Sequence, residues 1–193
     1  MKTELKPTLW RTARVLANVD RLNLMRLVVN ANGKSGVCEL ALEADLPVPI
    51  ASIYLRALNA RGLISVVRHG SHVYYGTNSD RSLPIAVALQ EAFRRFFLKK
   101  EMPPNWENSF LPIFKAYSNQ RREKMISILS ENNRMSYKEF QNMVRLGDCS
   151  FSRHLKILIN AGLVKYDSKG LYSLAKPKNS VEMILLAASN ARA

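Results

Sequence analysis

The sequence predicts a mainly α-helical protein with small β-hairpins, an α+β class, built as two similar domains in tandem. Three observations carry that expectation. The chain matches itself at an offset of 100 residues. Its apolar residues recur at helical spacing, and each half holds one short alternating segment with a glycine-bearing turn.

The self-match aligns residues 21 to 64 with 121 to 164 without a gap. Identical pairs include Arg21/Arg121, Met25/Met125, Asn32/Asn132, Glu39/Glu139, Leu46/Leu146 and Ser52/Ser152. Leu55/Leu155, Leu58/Leu158, Gly62/Gly162 and Leu63/Leu163 continue the series, and Trp10 falls on Phe110 at its front. Most matched positions are apolar and set packing, so the halves are expected to share one fold. The stretch "EMPPNWENS", residues 101–109, carries paired prolines and marks the boundary between domains 1–100 and 101–193.

Element by element, "LWRTARVLANV" and "DRLNLMRLVVNA" show apolar residues at helical spacing, and Gly33 ends the second helix. Residues 36–44 and 49–60 read as two short helices, with Pro47 and Pro49 breaking one and opening the next. Gly62 closes the last of these. "LISVVRHGSHVYYGT" alternates, is rich in β-branched and aromatic residues, and has a Gly-Ser turn at its middle, which is a hairpin. "LPIAVALQEAFRRFFLKK" then carries an apolar stripe of Ala86, Leu89, Phe93, Phe96 and Phe97, with Arg94, Arg95, Lys99 and Lys100 mostly outside it.

The second half repeats the plan. "NQRREKMISILSEN" is a helix, and Ser136 with Glu139 forms a capping box for the next one. Asp148 reads as the N-cap of a helix over about 149–161, which Gly162 ends. "LVKYDSKGLYSL" is a shorter hairpin, and "SVEMILLAASNA" is a closing helix. Helix, helix, turn, helix, hairpin is the order of a winged helix-turn-helix, in which the last helix can enter a DNA major groove.

Composition points to a polyanion. The 193 residues carry a formal net charge of +14, with Lys/Arg exceeding Asp/Glu by 15 to 7 in residues 1–100 and by 14 to 8 in residues 101–193. Nucleic acid is the first partner this suggests and an acidic membrane the second. The longest apolar run, "MILLAA" at 183–188, is too short to span a bilayer, and no signal peptide is expected, so the chain is read as soluble and cytoplasmic. Cys38 and Cys149 lack metal-site spacing. Cys38 is expected as a small core residue and Cys149 as a helix-start residue. No phosphate loop, nucleophile elbow, His-Glu metal helix or carboxylate pair is found, so no enzyme and no cofactor is expected.

"SRHLKILINAGLV" in the second half and "ANVDRLNLMRLVV" in the first resemble the ArsR-type winged-helix transcription regulators, as two copies fused in tandem. The resemblance implies a single-chain pseudo-dimer, its halves related by a pseudo-two-fold axis. The stripe from Ala86 to Phe97 and the helix near Ile184–Leu186 would form the seam between them. The alternative is that these faces complete each domain's own core. The resemblance also implies a repressor on double-stranded DNA, with a further homodimer through terminal helices left open. Where metal-sensing members carry Cys-x-Cys, this chain has Cys38 alone and Lys138 in its second half, so no metal site is expected.

On the helix over 149–161, Phe151, Leu155 and Leu158 are spaced for the core. Ser150, Ser152, Arg153 and Lys156 then face outward with His154 at the edge. Serine and arginine can bond base edges, Lys156 suits a phosphate, and Lys165 and Lys169 suit phosphates or the minor groove. The matching face of the first half reads Ile50, Ser52, Ile53, Tyr54 and Arg56, with Arg68, His69 and His72 on its hairpin. Ser52, Tyr54 and Arg56 keep some polar capacity, whereas Ile53 stands where the better reader has Arg153. The rival readings are a tandem protein-interaction module, favoured by Ile50 and Ile53, and an RNA-binding protein.

Overall fold

The computed structural model describes residues 8–31, 33–77, 82–98 and 103–191. The expectations for Asn32, Lys99, Lys100 and the boundary at residues 100 and 101 lie outside the described residues. The protein is mainly helical with small antiparallel sheets. It divides into two compact units, one holding Val15–Leu111 and the other holding Leu9–Arg14 together with Pro112–Ala193.

After α1 (Leu9–Leu16), the first unit runs through α2 (Val19–Ala31), β1 (Ser35–Gly36), α3 (Val37–Glu43) and α4 (Val48–Asn59). It continues with β2 (Ser65–His69), β3 (His72–Gly76), α5 (Pro84–Phe97) and a 3-10 turn at Trp106–Ser109. β3 lies between β1 and β2, pairing antiparallel with each. The core joins Leu24, Met25, Leu27 and Val28 of α2 to Leu40 of α3 and to Ala51, Leu55 and Leu58 of α4. The α5 stripe is taken up inside this unit. Phe93 stacks on Phe97 at 5.3 Å, Phe96 meets Phe110 edge-on at 4.8 Å, and Phe97 meets Trp106 at 4.9 Å. Arg94 and Arg95 face outward. Buried Gln90 of α5 donates through Nε2 to the Gly62 carbonyl at 2.9 Å, which holds the end of α4 in place.

The second unit contains α6 (Leu111–Tyr117), α7 (Gln120–Asn132), α8 (Tyr137–Val144), α9 (Asp148–Asn160), β4 (Val164–Tyr166), β5 (Tyr172–Leu174) and α10 (Ser180–Asn190). β4 and β5 form a hairpin, and Met135 bridges to Tyr172 as β1 bridges to β3 in the first unit. α10 packs on α7 and buries Val181 and Leu185. In each unit the helix that precedes the hairpin ends the same way. Leu63 N–H donates to the Leu58 carbonyl at 3.1 Å and Leu163 N–H to that of Leu158 at 3.0 Å. Gly62 and Gly162 supply the left-handed residue this Schellman closure requires, at φ +67° and +72°.

Three local expectations need correction. The repeat is not gapless. Leu9, Thr12, Ala13 and Leu16 of α1 are buried, as are Phe110, Ile113, Phe114 and Tyr117, an offset of 101. Leu24, Met25, Leu27 and Val28 match Met125, Ile126, Ile128 and Leu129 at the same offset, and 100 holds only from α3 onward. Residues 32–36 join the helices in one unit and the shorter 133–136 in the other. Met25 aligns with Met125 by identity but not by place, because adjacent apolar positions hide a shift of one. Cys38 is exposed rather than in the core, since α3 turns Leu40 and Ala41 inward. Asp148 is the first residue of α9, with Gly147 at the cap. Its Oδ1 accepts from the Tyr137 hydroxyl at 2.8 Å instead of from its own helix.

The shifted register identifies a shared device. Arg21 Nε donates to the Val15 carbonyl at 2.6 Å, and Arg122 Nε donates to the Ala116 carbonyl at 2.7 Å, each six residues back. Arg122 also donates to the Lys115 carbonyl at 2.7 Å and the Ser118 hydroxyl at 3.2 Å. These bonds occupy carbonyls that α6 leaves open at its end. Asn18 and Asn119 complete the turns by accepting from the N–H groups of Arg21 and of Arg121 and Arg122. Replacing Arg122 by leucine is expected to lower unfolding free energy by about 1–3 kcal/mol, since buried carbonyls lose their donor. A fall in the urea midpoint at constant slope is the measurement that checks it.

Candidate nucleic-acid interface

α9 is an amphipathic helix whose inner face is fixed by aromatic packing. Phe151, Leu155 and Leu158 are buried, and Phe151 meets Phe140 at 5.1 Å and Tyr137 at 5.0 Å, both edge-on. That anchoring turns Ser152, Arg153 and Lys156 outward and leaves Ser150 and His154 half-buried. The Ser152 hydroxyl lies 3.3 Å from the Cys149 carbonyl, within donating reach of it. The Tyr137–Asp148 bond ties the first residue of α8 to the first of α9 and sets the angle between them. Desolvation, then the bond to Asp148, pushes the Tyr137 phenol up to about 12, so it remains the donor. Arg145 closes α8 in the left-handed region at φ +57°, as Asp45 does after α3 at φ +53°.

Beside α9 the hairpin exposes Lys165 and Lys169. Its turn is held by Asp167, whose Oδ1 accepts from Lys169 N–H at 2.9 Å and Leu171 N–H at 3.1 Å. The Leu171 N–H holds that carboxyl below the usual range, helped by the Lys169 N–H and by Arg134.

Half-buried His154 is contacted from behind the helix. Nη1 of Arg122 stands 3.4 Å from its Nδ1. Guanidinium only donates, so Nδ1 is the acceptor and Nε2 carries the proton, directed away from Arg122. Burial, then Arg122, Arg121 and Arg153, lower the imidazole pKa, so His154 is neutral near pH 7. Exposed Arg121 therefore lies near this face, and its buried neighbour Arg122 supports the His154 ring from behind. The sequence reading missed both. Their signal was a pair of arginines opening a helix behind an Asn cap, at the place where Arg21 stands in the first unit.

In the first unit, α4 buries Ala51, Leu55 and Leu58 and exposes Ile50, Ile53 and Arg56. Ser52 and Tyr54 are half-buried. Arg21 takes the place of Arg122 and lies over the Tyr54 ring at 5.4 Å, a cation–π contact where the second unit has a hydrogen bond. Arg68 is exposed on β2, and His69 and His72 face each other as the last pair of the hairpin, both rings against Tyr74 at 5.9 and 6.4 Å. Ser52 and Arg56 do not stand with the histidines. They face the sheet across a groove completed by Asn59, Val66, Arg68, Val73 and Tyr75, most of which the sequence reading did not single out.

Among the described residues no group of three or more His, Cys, Asp or Glu side chains could hold a metal, and no helix is long and apolar enough to cross a membrane.

The His154 environment fixes the sign of a pH effect. Its folded-state pKa lies below the ordinary 6.5, so the folded chain binds fewer protons than the unfolded one. Stability present in full above that value is lost as the pH falls through 6.5 and toward the lowered folded pKa. The loss from Asp167 and Glu139, both held below the usual carboxylate range, comes at lower pH. Thermal unfolding between pH 7.5 and 5.5 is expected to show the first loss, and His154→Gln should flatten it. No family model and no curated protein matches the chain, so its functional reading rests on this geometry.

Proposed function

We propose that the protein is a cytoplasmic, sequence-specific regulator of transcription that binds double-stranded DNA, with each unit a winged helix-turn-helix of ArsR type. The observation that carries this reading is the face of α9. A buried aromatic seat turns Ser152, Arg153 and Lys156 outward, and Arg121, Lys165 and Lys169 add cations from the neighbouring elements. On this reading α9 enters a major groove. Arg153 reads a guanine, neutral His154 offers its Nε2–H to an acceptor, and Lys156, Lys165 and Lys169 engage phosphates. The net charge of +14 supports a polyanionic partner. The tandem arrangement replaces a homodimer, so a non-palindromic site is occupied and transcription repressed.

A second reading has one specific observation in its favour. Ile53 is 52% exposed on α4, and Leu42 of α3 is 83% exposed, where a DNA reader would present polar groups. The first unit would then bind a protein.

Selection from a random duplex pool separates the two. Enrichment of a motif is expected, and a pool that stays random would sink the DNA reading. Arg153→Ala should relax preference at one position and cost about 1–3 kcal/mol, read by mobility shift against single-base variants. Lys165→Ala should weaken all sequences alike and lower the slope of log affinity against log salt by about 1. Competing RNA should displace the duplex no better than unrelated DNA does.

A further inference from the structure

The groove between α4 and the β2–β3 hairpin has a volume of about 700 Å³, within the usual range of small-molecule and group-binding sites. Its helical wall is Ser52, Arg56 and Asn59, whose spacing of four and three puts them on one face of α4. The facing wall is a single face of the hairpin, because Val66 pairs with Tyr75 and Arg68 with Val73. Val66 and Val73 make it partly apolar, while Arg68 and the Tyr75 hydroxyl supply polar groups.

The charge in this groove is of one sign. Arg56 and Arg68 reach it from opposite walls, no carboxylate lines it, and neither guanidinium pairs with an acid among the described residues. Arg56 has only a contact of 3.4 Å from its Nε to the Ser52 carbonyl. Its charge reaches Tyr75, whose phenol burial pushes up and Arg56 pulls down. Residues that carry two guanidiniums, an amide and two hydroxyls thus line one open volume, and none of them bears a negative charge. Planar forks of this kind match the oxygens of a phosphate in two-point contacts.

We propose that this groove is a phosphate-binding site in which Arg56 and Arg68 clamp one phosphate group from two sides, with Asn59 and the Ser52 and Tyr75 hydroxyls completing the shell. The phosphate can come from the backbone of a nucleic acid or from a small organophosphate, and the chemistry is the same. For the backbone source the inference rests on the DNA reading above and sharpens it. The first unit then anchors a duplex without reading its bases, and only α9 reads.

The test uses the full chain as wild type, as Arg56→Ala/Arg68→Ala, as the control pair Arg94→Ala/Arg95→Ala, and as Arg153→Ala. The control removes the same charge from α5, outside the groove. Three probes are titrated: a labelled duplex carrying the selected motif, the same duplex scrambled, and adenosine monophosphate. The groove pair is expected to lose tenfold or more affinity for both duplexes equally. Its salt slope should fall by about 2, while base preference and the control pair stay near wild type. Adenosine monophosphate that binds wild type but not the groove pair identifies a small organophosphate as a ligand in its own right. If it does not bind while both duplexes are weakened, the backbone is the source.

Equal losses in the groove and control pairs would overturn the site, as would a change of base preference in the groove pair. Failure of the DNA reading looks different. No duplex is bound and Arg153→Ala changes nothing, while adenosine monophosphate binding still depends on the groove. If no probe binds wild type, both are overturned. Arg56→Gln/Arg68→Gln, which keeps a polar side chain without the charge, repeats the test should the alanine pair lower the melting temperature.

Discussion

The outward face of α9 depends on a guanidinium that points inward. Arg122 is buried in the second unit, occupies the carbonyls at the end of α6, and reaches the inner edge of His154. One side chain therefore fixes a turn between helices and orients the His154 ring on a third helix, whose rotation the Phe151 seat sets. Arginine suits the task because its charge persists at every relevant pH and its fork serves several acceptors in one plane. A lysine would offer a single point of charge on a flexible stem. The cost of burying a charge is offset here by carbonyl and hydroxyl oxygens rather than by an acid. Burial first, and then the Arg122 guanidinium with Arg121 and Arg153, keep His154 neutral.

The first unit uses the same brace with a different product. Arg21 holds the end of α1 and lies over an aromatic ring, so Tyr54 gains packing where His154 gains a defined tautomer. The difference continues along the two helices. α9 sets polar groups before Lys156, whereas α4 sets isoleucines before Arg56 and gathers its polar groups against the hairpin. The two units therefore present different chemistry from one scaffold, an outward polar and cationic helix face in one and a groove lined by two arginines in the other.

Much of this was legible in the sequence. The element order, the glycine closures at Gly62 and Gly162, the Ser136–Glu139 box and the inward set Phe151, Leu155 and Leu158 follow from local rules of spacing and capping. What was not legible involves contacts distant in sequence. Arg122 meets His154 across 32 positions, and no local pattern marks that. Tyr137 takes Asp148 away from the capping role its position suggests, because a hydroxyl from another helix competes with the backbone. Cys38 was misplaced because a seven-residue helix has too few turns for its apolar face to be read. The groove was missed because its two walls are far apart in the chain and its arginines resemble any exposed cation.

The offset change between α2 and α3 carries a consequence of its own. One residue added inside a helix turns all that follows by about 100° and would present the wrong side to the core. The same residue added between helices leaves both cylinders in phase. The difference in length therefore falls where it does not disturb rotation, and it divides each unit into two helical segments that can drift along the sequence independently. Chimaeras joined at that connection would keep every apolar stripe aligned, whereas those joined within α2 at the offset of 100 would not.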